Sequence, residues 1–112
     1  MAKEQKVATT EISAQLRVGG RVKEVKFVAH AQTAGQAQTA LAQLKAAQER
    51  YADAARRAKG APKGPEGAGL RNARDTAEAA VKTAARSLNT YGFRVAYAGD
   101  GSVTVSKSSV VD

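Results

Sequence analysis

The sequence predicts an α+β fold of order ββ-α-α-ββ, in which two β-hairpins merge into a four-stranded antiparallel sheet that carries a long protruding antiparallel helical hairpin. Three observations predict it. Apolar residues recur with a period of about two near both ends of the chain and of about 3.6 in its middle. Glycine-rich turn segments separate these stretches. The length of 112 residues fits a single domain over residues 1–112.

The first hairpin is predicted over residues 10–29, because apolar and polar residues alternate there on both sides of Gly19-Gly20. Two consecutive glycines tolerate the positive φ angles of a two-residue type I′ turn. Such a turn sets four cross-strand pairs, which are Val18 with Arg21, Leu16 with Lys23, Ala14 with Val25, and Ile12 with Phe27. The larger apolar side chains then share one face, and the other face is largely exposed to water.

Two helices are predicted over residues 33–59 and 70–90, where strong helix formers prevail and apolar residues recur every three or four positions. At about 1.5 Å per residue the first helix is about 40 Å long. Gln48 interrupts its alanine-rich apolar stripe. The stripe is interpreted either as a docking seam for copies or partners, with Gln48 setting the register, or as the inner face of a plain helical hairpin. Gly92 is predicted to end the second helix in a left-handed conformation.

Residues 60–69 are predicted to form a loop, because they hold both prolines and several of the ten glycines. A short loop between long helices favours their antiparallel packing. The loop is then the tip of a helical arm, and both hairpins meet at the base of this arm. An isolated hairpin is marginally stable in water, which favours one merged sheet.

The second hairpin is predicted over residues 93–107, around a three-residue loop, Gly99-Asp100-Gly101. Two cross-strand pairs follow from this loop, namely Tyr97 with Val103 and Val95 with Val105. The serine-rich tail, residues 108–112, is predicted to fray.

The hydrophobic core is predicted to be thin. Alanine accounts for 25 of the 112 residues, whereas Leu, Ile, Val and Phe together account for only 19. Alanine adds little burial energy beside the roughly 1.5–3 kcal/mol of a buried Leu or Phe. We therefore expect a homo-oligomer or a place in a larger assembly.

No catalytic, cofactor or metal site is predicted. The chain has no Cys and one His, His30, and its ten acidic residues are spread along helical and turn positions. General acid–base catalysis and metal binding both need such groups to converge. His30 is expected to be structural or exposed, with pH sensing as the alternative. Residues 60–64 are followed by Pro65 where a phosphate-binding P-loop requires Lys, so we expect a protein that is not an enzyme.

No membrane segment is predicted either. Residues 1–6 are largely charged and polar and are followed by no apolar run of signal-peptide length. A run of about 18 apolar residues, as a spanning helix requires, does not occur. We therefore expect a cytoplasmic protein, or one packaged in a virion after cytoplasmic synthesis.

The net charge of +8 is unevenly distributed along the chain. Residues 56–75 hold six basic and two acidic residues, so that half of the net charge lies around the predicted arm tip. The six basic residues form the predicted polyanion-binding set, which is Arg56, Arg57, Lys59, Lys63, Arg71 and Arg74. A secondary basic patch on the first hairpin consists of Arg17, Arg21, Lys23 and Lys26.

This charge predicts contact with a polyanion, in the first place the backbone of nucleic acid, which basic side chains bind by counterion release without reading sequence. The aromatic residues fall on apolar faces, which argues against stacking on bases. An alternative interpretation is that the basic residues meet the C-terminal end of a helix dipole or are simply solvated. The second functional hypothesis is a structural or protein-binding module that contacts an acidic protein surface, such as a small phage virion component or an inhibitor of a host factor.

Overall fold

The computed structural model describes residues 8–110, and it confirms the α+β class and the predicted order of elements. The strands are β1 (Thr9–Val18), β2 (Arg21–His30), β3 (Arg94–Gly99) and β4 (Ser102–Lys107). The helices are α1 (Ala34–Lys59) and α2 (Ala68–Leu88), and short 3-10 turns at Pro65–Gly67 and Asn89–Tyr91 flank α2. The charged segment 1–6 and the last two residues of the tail lie outside the described residues.

The first hairpin has the predicted register. All four predicted cross-strand pairs are present in the β1–β2 ladder. The turn between the strands is formed by Gly19 and Gly20, with φ angles of 63° and 83°. Positive φ at both central positions is the requirement of a type I′ turn, which explains why glycine occupies both.

The arrangement of the sheet corrects the antiparallel prediction. The strand order is β2-β1-β4-β3, and β4 joins β1 through one parallel pair, Val18 with Val103. The sheet is therefore mixed, and the prediction of an entirely antiparallel sheet is wrong. The direction of β4 follows from tertiary packing, since β1 packs against α1 and β3 against α2. Beside the parallel pair, the amide of Gln48 binds the main chain of Arg17, and β4 meets β1 only at its last residue.

The second hairpin keeps its predicted pairs but has a shorter turn. Tyr97 pairs with Val103 and Val95 with Val105, as predicted. Gly99 pairs with Ser102, so that the turn consists of Asp100 and Gly101, with φ angles of 53° and 76°. A register irregularity between Tyr97 and Gly99 takes up the extra residue. The predicted three-residue loop is thus a two-residue turn beside an irregular strand position.

The start of the tail adds to the free edge of β2. The carbonyl oxygen of Ser108 accepts a hydrogen bond from the N–H of Val28 at 2.9 Å, and the N–H of Val110 donates to the Val28 carbonyl at 3.0 Å. The side chain of Val110 also packs against the core. Residues 108–110, which the composition predicts to fray, are therefore held by the fold. Gly92 has a φ of 96°, as its predicted role at the helix end requires.

The core lies between the sheet and the sheet-proximal halves of both helices. Its largest fully buried side chains are Phe27, Phe93, Leu16, Leu41, Leu44, Leu88, Val81 and Val103. The rings of Phe27 and Phe93 lie 4.9 Å apart and are tilted by 59°, so the first hairpin contacts the start of the second directly. Alanines of α1 and α2 complete the core and bring the backbones of the two helices close together.

The outer halves of the helices form the predicted arm. Buried residues of α1 are concentrated between Ala34 and Gln48, and beyond Gln48 the helix buries Ala58 alone. The buried residues of α2 begin at Ala77. The protein measures 70 Å along its longest axis but 20 and 17 Å across. The sheet therefore covers one end of a long helical hairpin and leaves the other end exposed.

Candidate functional site

The tip of the arm is folded around one guanidinium group. Arg71, in the first turn of α2, donates hydrogen bonds to the carbonyl oxygens of Pro62 at 3.1 Å and Gly64 at 2.7 Å. Gly67 is buried against the same groups, and a Cβ atom there would collide with the Pro62 carbonyl oxygen and with the guanidinium. Glycine and proline content suggests an adaptable loop, whereas in the structure Arg71 binds two carbonyl oxygens of this loop.

Three other arginines of the predicted set are paired with carboxylates. The guanidinium of Arg56 lies 2.7 Å from one carboxylate oxygen of Asp53, and that of Arg57 lies 3.2 Å from the other. Arg74 lies 3.2 Å from the carboxylate of Asp75. The Arg56 and Arg57 side chains are nevertheless 75% and 67% exposed. Exposed ion pairs contribute about 0–1 kcal/mol, so an incoming anion can displace Asp53 at little cost.

The two lysines of the set are exposed at the end of the arm. Lys59 is the last residue of α1, and Lys63 lies in the loop that follows. Within residues 8–110 neither ammonium group has an ion-pair or hydrogen-bond partner. Among the six cations, Arg71 alone binds main-chain groups of the loop in the described part of the chain.

Asp53 adds a negative charge that a count over residues 56–75 leaves out, because it lies one helical turn before that segment. Counted from Asp53 to Asp75, the tip holds six basic and three acidic residues, a net charge of +3. The i,i+3 and i,i+4 spacing from Asp53 to Arg56 and Arg57 is the sequence signal that identifies both ion pairs.

Both helix ends at the tip affect its electrostatic field. The last turn of α1 carries Arg56, Arg57 and Lys59, which meet the negative end of its dipole. α2 begins at the tip with its positive end. Its first turn contains no acidic residue, and among the described side chains none caps it. The helix dipole therefore accounts for the position of three cations but leaves Lys63 and Arg74 unexplained.

The secondary basic patch is divided between two faces. The ladder places Arg21 and Lys23 opposite Val18 and Leu16, on the side of the hairpin that bears the apolar residues. Arg17 and Lys26 point to the other face, because side chains alternate along a strand. Arg17 belongs to β1 and the other three residues to β2, so the four cations do not form one flat surface.

A hydrogen-bonded group at the base of the arm is not apparent from the sequence. The hydroxyl of Tyr97 donates to the Glu78 carboxylate at 2.6 Å and accepts from the N–H of Gly101 at 3.0 Å. The Lys82 ammonium lies 5.4 Å from the centre of the Tyr97 ring. Burial and the hydrogen bond to Glu78 raise the pKa of Tyr97 to about 12. Alternation assigns Tyr97 to an apolar face and gives no indication that its hydroxyl links sheet and helix.

Two side-chain amides occupy edges of the sheet. Gln48 binds both main-chain groups of Arg17, at 3.0 Å each, and also donates to the carbonyl of Gly101 at 2.8 Å. Asn89 makes the corresponding pair of contacts with Val95, accepting from its N–H at 3.1 Å and donating to its carbonyl at 3.5 Å. A carboxamide has the hydrogen-bonding groups of a peptide unit, so each side chain takes the place of a neighbouring strand.

Metal-ligand clusters and buried polar atoms without partners are two further features that could mark a site in the described residues. Within residues 8–110 no three His, Cys, Asp or Glu side chains lie close enough to hold a metal ion. The Nδ1 atom of His30 is buried and finds no hydrogen-bond partner in the described part of the chain. No described helix combines the length and apolar character needed to cross a membrane.

Comparison of the chain with protein-family models, curated proteins and solved structures found no match.

Proposed function

We propose that this chain is a non-enzymatic binding and assembly protein that contacts a polyanion, foremost the backbone of nucleic acid, through the tip of its arm. The observation that carries the proposal is the gathering of Arg56, Arg57, Lys59 and Lys63 at the exposed end of a protein 70 Å long. A cytoplasmic location, or a place in a virion after cytoplasmic synthesis, belongs to the same proposal.

The four cations have complementary parts in this contact. Lys59 and Lys63 bind phosphates as point charges, whereas Arg56 and Arg57 exchange the Asp53 carboxylate for phosphate oxygens. Arg71 contributes by keeping the loop in shape rather than by touching the ligand. Contacts of this kind release counterions and read no base sequence, so affinity depends on salt and hardly on sequence.

A mobility-shift or anisotropy titration with duplex DNA and structured RNA tests the proposal. Changing Arg56, Arg57, Lys59 and Lys63 to Gln removes four charges from the tip. The matched control changes four exposed cations of the sheet to Gln, namely Arg21, Lys23, Lys26 and Arg94. Both variants carry the same net charge, so that only the position of the removed charge differs between them.

In the tip variant, the slope of log K against log salt concentration is expected to become less negative by up to about 0.9 for each phosphate that the tip no longer neutralises. The variant should also bind much more weakly than the wild-type protein between about 50 and 200 mM salt. The sheet variant should bind nearly as well as the wild-type protein. Equal weakening in both variants would show a diffuse charge effect, and absence of binding near about 50 mM salt would refute the proposal.

A structural or protein-binding module is the second candidate function. It is favoured by the outer part of the arm, where Ala54, Ala55 and Leu70 are half-buried but do not belong to the core beneath the sheet. Packing of these residues against copies or against a partner would bury apolar area that the monomer leaves accessible. Light scattering at several concentrations tests this candidate, which predicts a mass above 11.6 kDa.

A further inference from the structure

The outer edge of β2 differs from the other edges of the sheet. Gln48 occupies the β1 edge at Arg17, and Asn89 occupies the β3 edge at Val95. β2 is the terminal strand on its side, and one part of its edge is occupied by the chain itself. The remainder of this edge is not covered by any segment within residues 8–110.

The register of the hairpin defines which groups point outward. Val18 and Arg21 flank the two-residue turn and therefore bond to each other, so that the next pair, Arg17 and Val22, points its main-chain groups away from the hairpin. By the same alternation, the main-chain N–H and C=O groups of Glu24 and Lys26 also point away from the hairpin. The contacts of Arg17 with Gln48 and of Val28 with residues 108–110 agree with this alternation.

Residues 108–110 show that this edge accepts a strand. They pair with Val28 in parallel through two main-chain hydrogen bonds. Continuing along the same edge, the outward N–H and C=O groups of Val22, Glu24 and Lys26 have no main-chain partner in the described part of the chain. Unpaired edge groups of this kind are a template for another strand.

Side chains around the open segment define the strand that fits it. Val22 is 63% exposed and is the one large hydrophobic side chain exposed in the described part of the chain. Arg21 and Lys23 project to the opposite face of the same segment. A strand lying along this edge meets Val22, followed by Glu24 and Lys26, on one face, and the cations Arg21 and Lys23, followed by Val25, on the other.

We propose that the edge of β2 from Val22 to Lys26 binds, by strand addition, an extended segment of a partner protein in which acidic and apolar side chains alternate. The acidic residues of that segment face Arg21 and Lys23, and its apolar residues contact Val22. Main-chain hydrogen bonds supply affinity, and the alternation supplies specificity. This site is separate from the arm tip and does not depend on polyanion binding there.

A second copy of the chain does not fit the open segment. Antiparallel pairing of β2 with itself places either Glu24 opposite Glu24 or Lys23 opposite Lys23, and like charges directly opposite each other are unfavourable. The register centred on Val22 places Arg21 opposite Lys23, which is unfavourable for the same reason. The register with Glu24 opposite Lys26 places Val22 opposite Val28, whose main-chain groups are already bound by residues 108–110. Like charges and the bound tail together therefore disfavour self-association along this edge.

The test uses a fluorescein-labelled peptide of alternating Asp and Val and the full-length protein, with anisotropy as the readout. Two isomers of the peptide carry N-methyl groups on opposite sets of alternate amides. Only the amides on one side of the bound peptide strand face β2. The isomer that is N-methylated on that side should bind about tenfold or more weakly than the parent peptide, and the other isomer should keep its affinity. Equal binding by both isomers, or no binding of the parent peptide at about 1 mM, would overturn the proposal.

A matched pair of protein variants tests the same contact from the other side. Glu24→Pro removes an outward N–H, which an edge strand tolerates, and should weaken peptide binding about tenfold. Glu24→Gln keeps the N–H and removes a carboxylate, so it should bind the acidic peptide as well as or better than wild type. Peptide binding that is unchanged in a folded Glu24→Pro protein contradicts strand addition.

Hydrogen exchange on the wild-type protein provides a readout that needs no variant. Saturating peptide should slow exchange at the amides of Val22, Glu24 and Lys26, which point outward. The tip variant lacking Arg56, Arg57, Lys59 and Lys63 should bind the peptide normally. Unchanged exchange at all three amides would overturn the proposal.

Discussion

The side-chain amide of Gln48 binds the main chain of Arg17 as a neighbouring strand would. Its Nε2 donates to the Arg17 carbonyl and its Oε1 accepts from the Arg17 N–H, both at 3.0 Å. The same Nε2 also donates to the carbonyl of Gly101 in the turn of the second hairpin. One buried residue of α1 therefore connects the helix to both hairpins.

Replacement of Gln48 by Leu should strongly destabilise the fold. The change keeps the side-chain volume nearly constant but leaves three main-chain groups without their partner. An unsatisfied buried polar group costs about 1–3 kcal/mol, so we expect a loss of about 3 kcal/mol in the free energy of unfolding. Urea denaturation measures it. Gln38→Leu, an exposed position on the same helix, is the matched control and should change stability by less than about 0.5 kcal/mol.

The hydrogen bonds of Gln48 illustrate what sequence patterns can predict. The interruption of an apolar stripe by Gln48 is visible in the sequence, and the stripe correctly indicates that this position faces inward. Its partner is not visible, because Arg17 lies 31 positions away and meets Gln48 only after hairpin and helix have packed. The pattern is therefore compatible with a Gln48 that sets the register between helices. In the structure, the Gln48 amide instead forms hydrogen bonds between α1 and the two hairpins.

Strand pairings within a hairpin can be predicted from the sequence, whereas the pairing between the two hairpins cannot. The cross-strand pairs of each hairpin are predictable because a turn and two adjoining stretches of alternation determine them. The pairing of Val18 with Val103 joins the two hairpins across most of the chain. Its direction depends on how α1 packs against β1, which no local pattern encodes.

At the arm tip, some features can be predicted from the sequence and others cannot. Its excess of basic residues follows directly from composition, and the ion pairs of Asp53 with Arg56 and Arg57 follow from helical spacing. The contacts of Arg71 with the carbonyl groups of Pro62 and Gly64 depend on the conformation of the loop itself. Charge alone could not distinguish this structural arginine from those that remain exposed.

Two glycines of the tip should respond in opposite ways to alanine. Gly67→Ala introduces a Cβ against the Pro62 carbonyl oxygen and the Arg71 guanidinium, and such overpacking costs about 1–3 kcal/mol. Gly69 lies in the first turn of α2, and a Cβ atom added there would meet no other atom within 4 Å. Gly69→Ala should therefore stabilise the protein by about 0.5–1 kcal/mol. Thermal melts of both variants measure the difference, and stabilisation by Gly67→Ala would contradict the packing of the loop.

Arg71→Lys should loosen the tip while keeping its charge. An ammonium group lacks the planar fork with which the guanidinium spans two carbonyl oxygens. We expect trypsin to cut after Lys63 roughly tenfold faster, corresponding to about 1.4 kcal/mol of reduced loop stability. Arg74→Lys, one turn later on α2, is the control and should leave the cleavage rate unchanged. Equal rates in both variants would show that Arg71 does not hold the loop.

The free energy of unfolding should fall at alkaline pH because the phenol of Tyr97 loses its proton. Its pKa of about 12 exceeds the ordinary value of 10.0, chiefly because the hydroxyl is desolvated and donates to Glu78. The folded protein thus holds the phenol proton more tightly than the unfolded chain. The resulting stabilisation is fully present below about pH 10 and is lost as the pH rises through about 12. Denaturant unfolding across this range measures the loss.

Tyr97→Phe should lower stability near neutral pH, because the N–H of Gly101 loses its acceptor and Glu78 loses its donor. It should also remove part of the alkaline loss, so the difference in unfolding free energy between wild type and variant shrinks between about pH 10 and 12. Part of the loss remains, since burial and nearby carboxylates also raise the pKa of Tyr51. Glu78→Gln distinguishes the causes, because it removes the carboxylate and so lowers the pKa of Tyr97 while the phenol stays in place. A difference that stays constant with pH would show that the Tyr97 proton is not linked to folding.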